Sequence, residues 1–135
     1  MSWDATPTLV GRHVTLRPLV AEDKDALVAA ASADDLWDLF YANVAMMKAP
    51  DRWFAAAFRE QDFGRARIFA VVAGDTVVGS TRFMRMNAAN KRLEIGGTFY
   101  ATAVQRTGVN TEAKLMLLTH AFETLGCACV QIRTD

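Results

Sequence analysis

Residues 93–134 carry the pattern that most restricts the fold. A two-residue hydrophobic period over residues 93–100 (LEIGGTFY) gives way to a polar loop, then to a helical period, then to a glycine and a second strand-like run. Alternation places Leu93, Ile95 and Phe99 on one side of the first strand, and Glu94, Thr98 and Tyr100 on the other. A helix is expected over residues 111–125, with Leu115, Leu118, Phe122 and Leu125 as its main stripe and Met116, Leu117 and Ala121 widening it. Gly126 suits its C-cap, and residues 127–134 read as the closing strand. Two strands joined through so apolar a helix form a βαβ unit and are expected to pair in parallel.

Upstream the elements are more varied. Residues 10–17 (VGRHVTLR) read as a first strand, closed by Pro18, which holds its neighbour Arg17 extended. Residues 22–33 follow as an alanine-rich helix with an acidic start. Asp34 and Asp35 break it, and residues 36–41 read as a short apolar helix or turn. Another helix is expected over residues 51–63, with Pro50 before it, Gly64 after it, and Phe54, Ala57, Phe58 and Gln61 recurring at helical spacing. Residues 68–73 and 76–86, joined by Gly74-Asp75, form a β-hairpin, and residues 87–90 form a turn. The expected class is α+β, a mixed sheet flanked by helices in one domain over residues 1–135.

Composition removes several functions. Fifteen basic residues balance fifteen acidic ones, so no bulk positive field gathers nucleic acid, and no nucleic-acid partner is expected. No apolar run is long enough to span a membrane, and the opening MSWDATPT lacks the regions of a secretory signal. A cytoplasmic protein without a membrane partner is expected. Cys127 and Cys129, two apart in an expected strand, read as small buried thiols. With His13 and His120 isolated in sequence and expected to be satisfied surface or boundary residues, no metal site is expected.

The loop QRTGVNTE, residues 105–112, joins strand to helix. Helix N-termini present unpartnered N–H groups and the positive end of the dipole, which together suit a phosphate. Gly108 is expected to take positive φ in the turn, Asn110 to tolerate left-handed geometry or to cap the helix, and Arg106 to reach a phosphate oxygen. Glu112 suits the dipole and points away from any ligand. The residues alone leave two readings open, an ordinary capped turn and an anion site. Neither GxGxxG nor GxxxxGK[ST] is present, so nicotinamide and nucleoside triphosphate lose their usual support. Gly96 and Gly97 inside a strand mark a bulge or the close approach of a ligand.

Residues 93–135 resemble the central motif of the GCN5-related N-acetyltransferase superfamily, in particular the branch of ribosomal-protein amino-terminal acetyltransferases and their relatives. The family's [Gln/Arg]-x-x-Gly-x-[Gly/Ala] is met by Gln105-Arg106-Thr107-Gly108-Val109-Asn110, which departs at its last position. Asn110 followed by Thr111-Glu112-Ala113-Lys114 looks typical of the branch, as does Leu93-Glu94-Ile95-Gly96 before it. Val14-Thr15-Leu16-Arg17-Pro18-Leu19, followed by Glu22-Asp23, looks like the branch's first strand and helix. The resemblance covers nearly the whole chain and is weakest over residues 32–63.

That resemblance implies an acyl-CoA N-acyltransferase-like sheet and acetyl-CoA as co-substrate, without a metal. Its pyrophosphate would sit on Gln105, Arg106, Thr107, Gly108, Val109, Asn110 and Thr111. Its pantetheine arm would run along the strand at Gly97, Thr98 and Phe99, where a backbone N–H could polarise the thioester carbonyl. The acetyl group would pass directly to an amine, either a protein N-terminal α-amine or a small-molecule amine, so neither cysteine is needed as a nucleophile. Direct attack needs a neutral amine. Near pH 7 that costs roughly 1 kcal/mol for an α-amine of pKa about 8, and roughly 4 to 5 kcal/mol for a lysine.

Glu94 is the nearest credible carboxylate, read either as base, directly or through water, or as a structural or positioning group. Phe40 and Tyr41 are candidates for the acceptor groove, with core packing as the alternative, whereas Trp53 and Phe58 read as core. Alternation puts Arg82 and Arg85 on opposite faces, so at most one is expected to meet an acidic acceptor or the coenzyme. Complete relatives continue with a further helix and strands, so the resemblance implies a domain incomplete at its C-terminus. Either the chain is a fragment, or its open edge would be completed by a second copy or an exchanged strand. The alternatives to an N-acetyltransferase are a coenzyme-binding module without turnover and a structural or interaction module.

Overall fold

The computed structural model describes residues 2–32 and 48–132. Among them six strands build one sheet in chain order: β1 (Leu9–Val10), β2 (Thr15–Pro18), β3 (Arg67–Ala73), β4 (Thr76–Asn87), β5 (Arg92–Tyr100) and β6 (Cys129–Ile132). The first five are antiparallel to their neighbours, while β6 runs parallel to β5, from Arg92 opposite Cys129 to Ile95 opposite Ile132. The mixed sheet and its parallel pair are those that the strand–helix–strand pattern demands.

Helices cover both faces. α1 (Lys24–Ser32) and α2 (Pro50–Asp62) pack on one, burying Leu27, Ala30, Ala31, Trp53, Phe54 and Ala57 against Ile68, Ala70 and Phe99. α3 (Gly108–Thr119) packs on the other, against Phe69, Val71, Phe83, Leu93 and Ile95. Pro50 is the first residue of α2, where its fixed φ helps and its missing N–H costs nothing. Gly64, at φ 75°, follows the end of that helix.

Three expectations change. Residues 10–17 are not one strand: Gly11 donates to the Val14 carbonyl at 2.8 Å, folding β1 and β2 into a tight hairpin with His13 on its turn. Only Cys127 of the two thiols is buried; Cys129 is exposed, and Cys127 precedes β6. The core stripe of α3 is Val109, Ala113, Leu117, Ala121 and Leu125, whereas Leu115 is 62% exposed and Phe122 48%.

The shift of that stripe has a geometric cause. A step of four residues overshoots a full α-helical turn by about 40°, so five such positions would wind away from the core. Residues His120–Thr124 form a wider π-turn, closed by the Leu125 N–H on the His120 carbonyl at 3.0 Å, which slows the rotation and returns Leu125 inward. Gly126, at φ 71°, then lets the Cys127 N–H reach back to the Ala121 carbonyl at 2.9 Å, the expected glycine stop.

Candidate functional site

The centre of the site is a bulge in β5. Ser80 pairs with Phe99 and Arg82 with Gly96, so Gly97 and Thr98 together oppose Thr81. Gly97 adopts φ 60°, and a Cβ there would lie 2.7 Å from Arg82 Nε. The extra residue inverts the alternation beyond it. Phe99 therefore joins the α1–α2 face, its ring 6.4 Å from Trp53, while Tyr100 joins Leu93 and Ile95 on the α3 face. This corrects the expected Leu93–Ile95–Phe99 side. Thr98 Oγ1 hydrogen-bonds Thr81 Oγ1 at 2.8 Å, fixing the bulge from within.

Glu94 lies two residues before Gly96 on the face opposite Leu93 and Ile95, only 3% exposed. Its Oε1 is 3.8 Å from Arg85 Nη1. A second irregularity brings that arginine there: two residues, Arg85 and Met86, oppose the single Leu93, and Arg85 takes φ 49°. Arg82 keeps the same face, with its guanidinium carbon 5.4 Å from the Trp53 ring centroid. The expectation that the two arginines part to opposite faces is thus overturned, because strict alternation fails at Arg85. Met84 completes the surround, since a Cβ on Gly96 would lie 2.8 Å from its sulfur.

The second part of the site is the start of α3. Thr107 is its N-cap, with Oγ1 accepting from the Val109 N–H at 3.3 Å. The left-handed turn belongs to Arg106, at φ 63°, and not to Gly108 or Asn110, both of which lie within the first helical turn. Val109 is buried, whereas Gln105, Arg106, Thr107, Gly108, Asn110 and Thr111 are exposed. Among the described residues no side chain accepts from the N–H groups of Gly108 and Asn110. Gly108 is conspicuous because the fold does not require it: a Cβ there would meet only His13 Cδ2, at an ordinary 3.6 Å. Gln105 Nε2 donates to the Tyr100 carbonyl at 3.1 Å, tying this turn to the end of β5.

Glu112 has a task invisible in the sequence. Its carboxylate accepts from the backbone N–H groups of Arg12 at 2.9 Å, His13 at 2.7 Å and Val14 at 2.9 Å, clamping the β1–β2 turn to α3. Phe40 and Tyr41 lie outside the described residues, as does Trp37. Trp53 is core, as expected, yet it also carries the Arg82 guanidinium. Among the described residues no cluster of His, Cys, Asp and Glu could hold a metal ion, and no helix is long and apolar enough to cross a membrane.

The profile of the family described as acetyltransferase (GNAT) domain matches residues 13–135. The chain belongs to the GNAT acetyltransferase family. Solved GNAT structures share its fold. A GCN5-related N-acetyltransferase from Brucella melitensis superposes with a TM-score of 0.77 at 27% identity, over 91% of this chain and 57% of that one. RimJ of Mycobacterium smegmatis, solved in complex with CoA-disulfide, gives 0.75 at 21% identity, over 97% and 68%. RimL, the ribosomal L7/L12 α-N-protein acetyltransferase solved in complex with coenzyme A, gives 0.77 at 17% identity, over 93% and 73%. The latter two likenesses concern the fold alone. This GNAT chain thus spans little more than half of the Brucella protein. No curated protein matches it closely enough to count as a relative.

Proposed function

We propose that this chain binds acetyl-CoA with its pyrophosphate at the start of α3 and its thioester at the Gly97 bulge, and transfers the acetyl group to an amine approaching from the Glu94 face. The observation that carries this reading is Gly108. Its bare Cα stands at an exposed helix N-terminus where the protein itself leaves room for a side chain, so a ligand can approach the backbone closely there. Two backbone N–H groups without side-chain acceptors and the helix dipole make that visitor an anion. CoA-bound RimL and RimJ share the fold and support the choice of coenzyme.

Acetyl-CoA would supply the activated acyl carbon as a thioester. The residues of this chain do the rest. The β5 bulge turns backbone N–H groups out of the ladder, where one can polarise the acyl oxygen. The amine nitrogen attacks the carbonyl carbon, the C–N bond forms, the C–S bond breaks and the sulfur leaves as thiolate, which takes its proton from solvent. Glu94 takes the proton shed by the amine, directly or through one water, with Arg85 beside it holding the carboxylate in place. An α-amine, which costs roughly 1 kcal/mol to neutralise near pH 7, asks far less of Glu94 than a lysine does. A protein N-terminus is therefore the favoured acceptor.

Calorimetry tests the coenzyme site. Saturable binding of acetyl-CoA is expected for the wild type, weakened at least tenfold in Gly108→Val, with little change in melting temperature. A folded wild-type chain that binds no acetyl-CoA would overturn the reading. Thiol release on adding an amine tests transfer separately.

A further inference from the structure

Arg82 is a half-buried cation with one nitrogen sealed from solvent. Its Nε is sealed from solvent between the Trp53 ring and the bare Cα of Gly97, with no hydrogen-bond partner. No carboxylate among the described residues forms an ion pair with it. Glu60 acts on it only from a distance and is itself paired with Arg65. A guanidinium keeps its charge in any protein setting, and a buried charge without a counter-charge is costly. Among the described residues its two terminal nitrogens find no hydrogen-bond partner either, and they are not sealed off as Nε is. The side chain is therefore held by its inner edge while its outer fork stays open.

The same face continues the theme. From Gly96, the register partner of Arg82, β5 leads through Glu94 to Arg92, roughly 13 Å along the strand. There Arg65, Arg85 and Arg92 line a cleft of about 370 Å³ with Asn87 and Gln131. Arg92 forms no ion pair among the described residues. Cations spread over that length outreach a single amino acid.

We propose that Arg82 anchors a carboxylate carried by the acceptor, so that this chain selects amines with acidic groups close to them, namely acidic peptide N-termini. A planar fork with two open donors matches a carboxylate bidentately, and an ammonium would not. Arg92, which pairs with no carboxylate among the described residues, takes an acidic group farther along the peptide. The assignment of the anchored molecule as acceptor rests on the acetyl-transfer reading of the Glu94 face, whereas the carboxylate site itself does not.

The test is calorimetric titration of the full chain, with and without acetyl-CoA. The probes are a hexapeptide with a free amino terminus and aspartate at its second and fourth positions, its asparagine counterpart, and free glutamate. The acidic peptide is expected to bind about tenfold more tightly than the asparagine one. Arg82→Gln should bring the two to near parity, and Arg82→Lys should fall between. Equal affinities for the two peptides in the wild type would overturn the proposal, a comparison that needs no variant to fold. So would a preference that survives Arg82→Gln, or a loss of acetyl-CoA binding in that variant with the preference intact. Free glutamate binding as tightly as the peptide would replace the peptide by a small acceptor. If the wild type ignores acetyl-CoA but keeps an Arg82-dependent preference, the transfer reading falls and the carboxylate site stands.

Discussion

Single residues in this chain act at a distance that sequence spacing conceals. Glu112 is the clearest case, joining α3 to a turn about a hundred residues earlier through three N–H donors. Gly11 belongs to the same device, because a Cβ there would overlap the Glu112 carboxylate. Burial pushes the Glu112 carboxyl up, but the N–H groups of His13, Arg12 and Val14 and the nearby His13 charge outweigh it and hold the pKa below its ordinary 4.5. A carboxyl with a lower pKa folded than unfolded binds fewer protons in the fold. Its contribution is therefore complete above the unfolded value and drains away as pH falls through the folded one. Glu112→Gln is expected to lower the melting temperature at pH 7, by an amount that shrinks below about pH 4.5. Thermal melts across pH 3 to 7 check this, and a gap that stays constant down to pH 3 would exclude the clamp as its source. Nothing in QRTGVNTE betrays the contact, since an acidic residue in a first helical turn is already accounted for by the dipole.

At the scale of elements, the legible and illegible parts separate by cause. Strand, loop, helix, glycine and strand were readable from residue 93 onward because each change of hydrophobic period coincides with a turn or cap residue. The α2 boundaries were readable from Pro50 and Gly64 for the same reason. What escaped was parity. A positive φ at Arg85 or Arg106 has no compositional signature, and one extra residue at Gly97 moves Phe99 and Tyr100 to the opposite faces. The two glycines announced a bulge but not which residues it would exchange. The α3 stripe shifted too: Leu115, placed in the main stripe, is exposed, while Leu117, placed at its margin, is fully buried. Leu117→Ala should therefore cost about 2 to 5 kcal/mol, as for a fully buried leucine, whereas Leu115→Ala should change stability by less than about 0.5 kcal/mol. Denaturant unfolding of both variants compares them directly. Equal losses would mean that the expected stripe, and not the observed one, faces the core.

For the molecule as a whole, the sheet divides two packed faces that the site then reconnects. α3 enters the fold through Val109, buried on one face, while its neighbours Gly108 and Asn110 present the N–H groups on which an anion would rest. The bulge lies in β5, the strand both faces share, with Phe99 on one and Tyr100 on the other. A coenzyme bound from α3 to the bulge would therefore bridge elements that separate on unfolding, so its binding energy should appear as global stability. At a hundred times the dissociation constant, a ligand specific for the native state adds about 2.7 kcal/mol. For a domain of this size that corresponds to a rise of roughly 10 °C in melting temperature. Acetyl-CoA should produce such a shift, growing with the logarithm of its concentration, in the wild type and in Glu94→Gln, whose lost carboxylate is proposed to serve the acceptor and not the coenzyme. Gly108→Val should show little of it. A shift of equal size in Gly108→Val would place the coenzyme away from the start of α3, and its loss in Glu94→Gln would move Glu94 from the acceptor to the coenzyme.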